Sequence, residues 1–406
     1  MSKRILIVGD APSEATGLGR IARDLAGLLH EAGWKFSQLG LNHDERTAWP
    51  WPVLPLKDHA NWGFHDLPEA LERTDPEIVF TIWDPSRCFG LLHSPEGDPI
   101  NWGILQKYGA KLWGYFPVDA EDPFGGFIGP PAEALRYYDR ILAYGKYGQG
   151  VISNALKRLS PSYPELNLPS IPPVEWLPHG LSDIWKPLTE DECKAARAIR
   201  TKEWKIPEDA ILIGCVASNQ IRKDLGLVFA VWAQLVQEVQ LHRRGTPREG
   251  RRGPYYFWLH TDRLENAWSI SQLAMMYNLQ DQLRVTLRLT DLELREWYGC
   301  CALTLAPGLG EGFGYPIIES QAVGIPVIHG NYGGGAEWTP CLVEPRTWRI
   351  EGLYGLLRPV FDPKDWIKAT GAALASGSLT DVSALQWKPL WPEWLRWFEG
   401  NSGRKE

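Results

Sequence analysis

The chain has 406 residues, enough for two domains of ordinary size, each with its own core. With 44% hydrophobic and 22% charged residues it reads as soluble and globular, and a net charge of −7 gives no general attraction to nucleic acid or anionic membrane. No apolar run approaches the roughly 20 residues that span a bilayer, so a cytoplasmic protein without stable membrane insertion is expected.

Met1-Ser-Lys-Arg runs straight into Ile5-Leu-Ile-Val8, too short for a signal-peptide core and suited to a first strand, Arg4 to Gly9. Helical spacing of Leu18, Ile21, Ala22, Leu25, Leu28 and Leu29 then places Gly17 and Gly19 at a helix start. Gly17-Leu-Gly-Arg-Ile-Ala meets the pattern G-x-G-x-x-A, but about seven residues separate it from the strand, where the dinucleotide fingerprint tolerates none. An anion-binding loop is expected, not an NAD site. A second strand near Lys35 to Leu41 leads into Ala48-Trp-Pro-Trp-Pro-Val-Leu-Pro, whose prolines predict an irregular loop that either recognises an acceptor or packs structurally.

Strands recur at Glu77 to Ile82 and Lys111 to Phe116 with helical stretches between, which predicts a mostly parallel sheet. Asp119 follows directly and is delivered to the ligand crevice at a strand's carboxyl end, where it can hold a sugar hydroxyl or accept a proton from an acceptor. Asp119 and Asp122 form either a metal pair or, with no further ligand spacing, a turn. A last strand lies within Asp139 to Gly148, a proline-rich excursion covers Ser160 to Pro173, and Pro178-His-Gly180 marks the interdomain turn.

The second half opens with a helix around Asp191 to Trp204 and a strand, Ala210 to Ala217. Arg222 and Lys223 stand beyond that strand and before a helix from Leu225 to Val239, so two cations project into the crevice, either to bind a diphosphate or as a solvated pair. The basic run His242 to Arg252 joins a helix to the strand Tyr255 to His260, at the sheet end away from the crevice, and reads as a solvated loop. Leu259-His-Thr-Asp262 faces the crevice. A strand around Arg284 to Leu287 precedes Asp291, at a helix start where it can act as an N-cap.

Leu303 to Ala306 is the strand that delivers the most informative stretch, Ala306 to Gly330. A loop with Gly308, Gly310, Gly312 and Gly314 enters a helix from Pro316 to Val323, and a buried strand follows at Ile325 to Ile328. Bare amides and the positive helix end suit an anion, the glycines allow close approach, and Glu311 and Glu319 can accept from hydroxyl pairs. Gly330 to Trp338 is another glycine turn beside the same site, and Trp387 to Phe398 is an aromatic helix suited to clamping domains. Six cysteines without C-x-x-C spacing read as reduced thiols, and most of the 21 tryptophans as core, with one or two free to stack on an acceptor.

The stretch from Glu311 to Glu319, filled with Gly-Phe-Gly-Tyr-Pro, resembles the E-x7-E signature of retaining family-4 glycosyltransferases. The resemblance implies the GT-B fold: two Rossmann-like doubly wound α/β domains facing each other across a cleft. Residues 1–178 would bind the acceptor, 179–384 the nucleotide sugar, and a helix at about 385–400 would return to the first domain. By the same resemblance Glu319 binds the ribose, and Glu311 with the amides of Gly312, Phe313 and Gly314 the sugar hydroxyls. Lys223 and Arg222 stabilise the leaving diphosphate, Asn219 or Arg222 stands for the family's phosphate arginine, and Asp291 lies near the base. Gly17 and Gly19 complete the site, and Asp119 replaces a histidine that many members carry. The implied activity is retaining transfer from a UDP- or GDP-sugar to a hydroxyl, without metal or cofactor. The acceptor stays open among a saccharide, a small molecule and a modified DNA base, the last as in phage-type DNA glycosyltransferases. A nucleotide-sugar-binding protein without catalysis is the alternative of another class.

Overall fold

A computed structural model describes residues 3–159, 171–244 and 253–401. The expectations for Ser160–Pro173 and for the basic run His242–Arg252 fall largely outside the described residues. The chain divides into two units, Met1–His179 with Glu351–Leu356 and Leu390–Glu406, and Gly180–Ile350 with Leu357–Pro389.

The first unit is built on a parallel sheet of seven strands in the order β3-β2-β1-β4-β5-β6-β7. In chain order these are β1 (Ile5–Asp10), β2 (Phe36–Leu41), β3 (Val53–Leu56), β4 (Ile78–Ile82), β5 (Lys111–Phe116), β6 (Arg140–Ala143) and β7 (Val174–Trp176). β1 and β4 are buried along their whole length, which accounts for their continuous apolar runs. The order reverses between β1 and β4, so the ligand crevice of this sheet opens beyond their carboxyl ends.

β3 corrects the expectation of an irregular loop over 48–55. Pro55 stands within this strand, opposite Gly40 of β2; β3 is the sheet's edge, the one place where a proline's missing N–H breaks no ladder. Of the two roles open to this segment, packing is the one seen. Trp51 is buried, donates its indole N–H to Gln38 Oε1 at 3.2 Å, and lies 5.6 Å from the Phe36 ring and 5.5 Å from Trp49.

The last helix, Trp387–Phe398, brings its second half into the first unit. Trp394, Trp397 and Phe398 are fully buried there, and burying each aromatic contributes on the order of 1.5–3 kcal/mol. Trp394 donates to the Pro178 carbonyl at 3.0 Å and Trp397 to Glu175 at 2.9 Å. Arg140 lies over the rings of Trp113 and Trp397 while bonding Glu175 at 2.7 Å, so the charge under the helix is matched.

The second unit carries six parallel strands in the order β10-β9-β8-β11-β12-β13. These are β8 (Ile211–Val216), β9 (Tyr255–His260), β10 (Leu283–Thr286), β11 (Leu303–Ala306), β12 (Val327–Gly330) and β13 (Cys341–Val343). The helix Leu225–Arg244 buries Val228, Phe229 and Trp232 against it, with Trp232 stacked on Phe257 at 4.9 Å. Strand order reverses between β8 and β11, which again fixes where a ligand binds. A two-stranded sheet, β14 (Thr347–Glu351) and β15 (Leu356–Val360), follows and has no counterpart in the sequence reading. Among the described residues no helix is long and apolar enough to cross a membrane. All six cysteines are free, and burial pushes the thiols of Cys88 and Cys215 up to about 12.

Candidate functional site

In the second unit the two loops that leave β8 and β11 meet at the point of reversal. After β8 the chain makes a one-turn 3-10 helix, Ile221–Lys223, and Asp224 (φ +43°) turns it into the following helix. Leu309 donates its amide to the Arg222 carbonyl at 2.7 Å, and the Arg222 guanidinium donates to the Gly310 carbonyl at 3.0 Å. Arg358 of β15 donates to the Leu309 carbonyl at 3.4 Å. The glycine loop is thus held by two arginines. Lys223 forms an ion pair with Glu311 Oε2, and Arg222 stands 4.0 Å from the same oxygen. Burial alone would push the Glu311 carboxyl up; Lys223 and Arg222 outweigh it and hold the group below its usual range.

Gly314 (φ +89°) turns the loop into the helix Tyr315–Ala322 without a side-chain cap; Pro316 has no N–H, and the amides of Ile317 and Ile318 donate to the Gly314 carbonyl at 2.9 and 3.3 Å. Phe313 is a packing residue, buried 5.2 Å from Trp338, and its main chain is what it can offer. The turn at Gly333–Gly335 backs this loop. A Cβ on Gly334 would lie 2.1 Å from the Gly312 carbonyl oxygen, and the Gly335 amide donates to the Glu311 carbonyl at 3.3 Å.

Glu319 is buried on the helix and accepts from the Tyr298 hydroxyl at 3.2 Å. Burial and the neighbouring Glu319 push the Tyr298 phenol well up, so it stays a proton donor. Nothing in the sequence singles out Tyr298, because a tyrosine on a helix reads as core until its partner is known. His329 likewise stands in no recognisable motif. His329 is 1% exposed on β12; its Nδ1 lies 2.5 Å from the Ala306 carbonyl, which can only accept, so Nδ1 carries the hydrogen. Nε2 has no partner among the described residues, and a Cβ on Gly335 would lie 2.7 Å from it.

Two sequence candidates sit differently from expectation. Asn219 is fully buried: its amide donates to the carbonyls of Arg263 at 3.2 Å and Trp268 at 2.8 Å and accepts from the Trp268 amide at 2.9 Å. Its side chain holds the 263–268 loop in place, and between Asn219 and Arg222 it is Arg222 that reaches the glycine loop. Asp291 is the first residue of the helix Asp291–Cys300, where Thr290 is the N-cap in a reciprocal pair with Glu293. His260 and Asp262 take part in internal ties, the first to Thr286 at 3.0 Å and the second to the Asn219 amide at 2.7 Å.

In the first unit Asp10 ends β1 and accepts from Thr16 Oγ1 (2.7 Å), Trp83 Nε1 (2.9 Å) and Arg87 (3.0 Å). Thr16 also caps the helix Gly17–Glu31 by accepting from the Gly19 amide at 2.9 Å. Gly17 opens on free space, whereas a Cβ on Gly19 would lie 2.6 Å from the Glu14 carbonyl. Gly19 therefore serves the fold and Gly17 the opening. Asp119 follows β5 close enough to act on Asp84, whose carboxyl is pushed up chiefly by burial. Asp122 forms the turn: it accepts from the amides of Phe124 (2.9 Å) and Gly126 (3.2 Å) and pairs with Arg158.

Known proteins resemble the chain on both levels. A model described as glycosyl transferases group 1 matches residues 197–339. A D-inositol 3-phosphate glycosyltransferase of Streptosporangium roseum is 28% identical over 127 residues, 29% of this chain and 27% of that protein. Its counterpart from Xylanimonas cellulosilytica is 26% identical over 203 residues, 50% of this chain and 43% of the relative. The alignment with the Streptosporangium relative thus spans about a quarter of its length. Among solved structures, a sucrose-phosphate synthase from Thermosynechococcus elongatus superposes with a TM-score of 0.67 at 15% identity, covering 98% of both chains. The catalytic domain of starch synthase IV from Arabidopsis thaliana, bound to ADP and acarbose, gives 0.64 at 10% identity over 98% of this chain and 99% of the other. Anabaena HepE in complex with UDP and glucose gives 0.63 at 11% identity over 92% and 90%. The chain has the GT-B fold, with two Rossmann-like parallel sheets, and carries a glycosyl transferases group 1 domain in its second unit.

Proposed function

We propose that this protein is a retaining glycosyltransferase that moves a sugar from a nucleotide-diphosphate sugar, UDP- or GDP-linked, to a hydroxyl acceptor. The observation that carries the reading is the meeting of Arg222 and Lys223 with Glu311 on the glycine loop at the strand-order reversal. Two cations form a seat for a diphosphate, and they act more strongly as charge grows on the leaving group. No resident metal is needed for that charge. Glu311 and the amides of Gly312, Phe313 and Gly314 take the sugar hydroxyls, and Glu319, held by Tyr298, takes the ribose.

Retention follows without a protein nucleophile if the acceptor oxygen attacks from the donor's leaving side. The bond from the anomeric carbon to phosphate breaks, the bond to the acceptor oxygen forms on the same face, and the acceptor proton passes to the released phosphate. Asp119 orients the acceptor hydroxyl. The names of the relatives and neighbours, D-inositol 3-phosphate glycosyltransferase and sucrose-phosphate synthase among them, favour a polyhydroxylated acceptor.

The test is incubation with UDP-glucose, GDP-mannose and related donors, with and without candidate acceptors, recording released nucleotide and the anomeric configuration of the product. Turnover by the native protein with loss in Lys223→Ala and Glu311→Ala, and an unchanged anomer, is the expected result. Donor binding without consumption would favour a non-catalytic nucleotide-sugar-binding protein.

A further inference from the structure

Two helices of the second unit, Glu190–Lys202 and Asp291–Cys300, pack on each other and leave a recess of about 270 Å³ between them. Ala196, Ile199, Trp204 and Trp297 line it together with Arg200, Glu296 and Cys300. The Trp204 and Trp297 rings meet edge to face at 5.0 Å, and Trp297 stacks on Trp258 at 5.0 Å, which backs the wall with a second ring. Cys300 ends its helix and β11 begins at Leu303, so the recess lies by the amino ends of the strands, opposite the loops that carry Lys223 and Glu311. It is no part of the site described above.

Arg200 is the second observation. It is only 7% exposed; Nη1 donates to the Cys300 carbonyl at 3.2 Å, and Nη2 to the carbonyls of Pro207 and Glu208 at 3.4 and 3.2 Å. Nε has no partner among the described residues, and every partner the guanidinium has there is a neutral carbonyl. A guanidinium cannot shed its proton in a protein, so this buried charge persists at every working pH. Capping the end of the helix Asp291–Cys300 accounts for the Nη1 bond and eases the charge, but it leaves the Nε–H and the missing counter-ion unanswered. Arg197 and Glu296 act on the neighbouring Cys300 thiol with opposite sign, so they offset each other and Arg200 sets the sign of the recess.

We infer that this recess binds a small organic acid, its carboxylate on Arg200 and its apolar body against Trp204 and Trp297. Nε–H with an adjacent Nη–H makes the fork that fits the two oxygens of a carboxylate. The volume falls just below the 300–1,000 Å³ of common ligand sites, which limits the body to about one ring or a short chain. One negative charge matches one guanidinium; a phosphate dianion would bring a second beside Glu296, with no cation to meet it.

The experiment is isothermal titration calorimetry of the full chain with benzoate, phenylacetate and hexanoate, each beside its neutral amide. At least one carboxylate is expected to bind about tenfold tighter than its amide, the usual advantage of a charge-assisted bond over a neutral one. Arg200→Lys, which keeps the charge and loses the fork, should weaken it about tenfold. Two further variants keep the question open to refutation if Arg200→Lys fails to fold. Ala196→Leu narrows the recess without touching the guanidinium and should abolish binding, with thermal melting to confirm folding. Glu296→Gln, at an exposed position, should tighten carboxylate binding about twofold at low salt. Lys223→Ala should leave binding unchanged, because the donor site lies at the other end of the sheet. No heat from any probe up to about 10 mM, an amide as tight as its carboxylate, binding indifferent to both Ala196→Leu and Glu296→Gln, or binding lost in Lys223→Ala would each overturn the inference.

Discussion

Lys223 and Glu311 allow stability and activity to be separated. Replacing Lys223 by methionine keeps the aliphatic stem and removes the ammonium, leaving Glu311 with Arg222 at 4.0 Å as its remaining cation. Breaking a fully buried pair costs about 3–5 kcal/mol, and an exposed one about 0–1. Side-chain exposures of 13% and 18% put this pair nearer the buried limit, so about 2–3 kcal/mol is expected, or roughly 5–10 °C in the melting of a unit of this size. In the double variant Lys223→Met/Glu311→Gln no uncompensated charge remains, and most of the lost melting temperature should return. Activity should not: removing one preorganised charge from a leaving group costs about 10²–10³ in kcat.

The pH dependence has a definite sign. In the native protein Glu311 is held below its unfolded value, so its contribution is present above the unfolded pKa and fades as pH falls through the lower folded one. Burial is the largest single influence on Glu311, and without Lys223 it is no longer outweighed, so the carboxyl shifts upward. Its folded pKa then exceeds the unfolded one, and the deficit of Lys223→Met shrinks as pH is lowered from 8 toward 5 and the group protonates. Calorimetric melts of the three proteins across that range, beside nucleotide-release rates, decide the matter. A double variant as unstable as the single one, or one that regains turnover, would refute the assignment.

Gly17→Ala should leave melting unchanged, because nothing lies within 4 Å of the added methyl, whereas Gly19→Ala should lower it by about 1–3 kcal/mol of overpacking against the Glu14 carbonyl; thermal melts compare the two. Tyr298→Phe removes the 3.2 Å bond to Glu319 and should raise the donor KM about three- to tenfold, an increase expected to vanish when the donor carries 2′-deoxyribose. At His329, asparagine can replace the Nδ1 donor to Ala306 while leucine cannot, so His329→Asn should keep kcat/KM within about threefold and His329→Leu lose about tenfold. Alkylation at pH 8 should spare Cys88 and Cys215 in the native fold, with mass spectrometry reading the modified peptides.

The sheets were legible because a parallel strand buried on both faces writes itself as an apolar run, and β5, β9 and β11 stand where their runs predict them. Lys223 and Glu311 were legible for a related reason: each lies on the loop that leaves such a run, and the loops at strand ends are where doubly wound sheets present side chains. The edge strand β3 was hidden by Pro55, since proline signals a break everywhere except at an edge, and edges are known only from the assembled sheet. β14 and β15 were hidden because the first is almost wholly exposed and the second mostly half-buried, with no alternation to mark an inner face.

What the sequence withheld about the site is the identity of partners, and partners decide roles. Asn219 and Arg222 stand three positions apart after the same strand, both polar and both plausible phosphate ligands. Only the path of residues 263–268 shows that the Asn219 amide is engaged by that loop, while Arg222 turns to Gly310. The same holds for His329, an isolated histidine in a strand until Ala306 is seen to accept its Nδ1–H. Motifs name the atoms able to act on a ligand; hydrogen bonds already made remove some of them, and those left over define its chemistry.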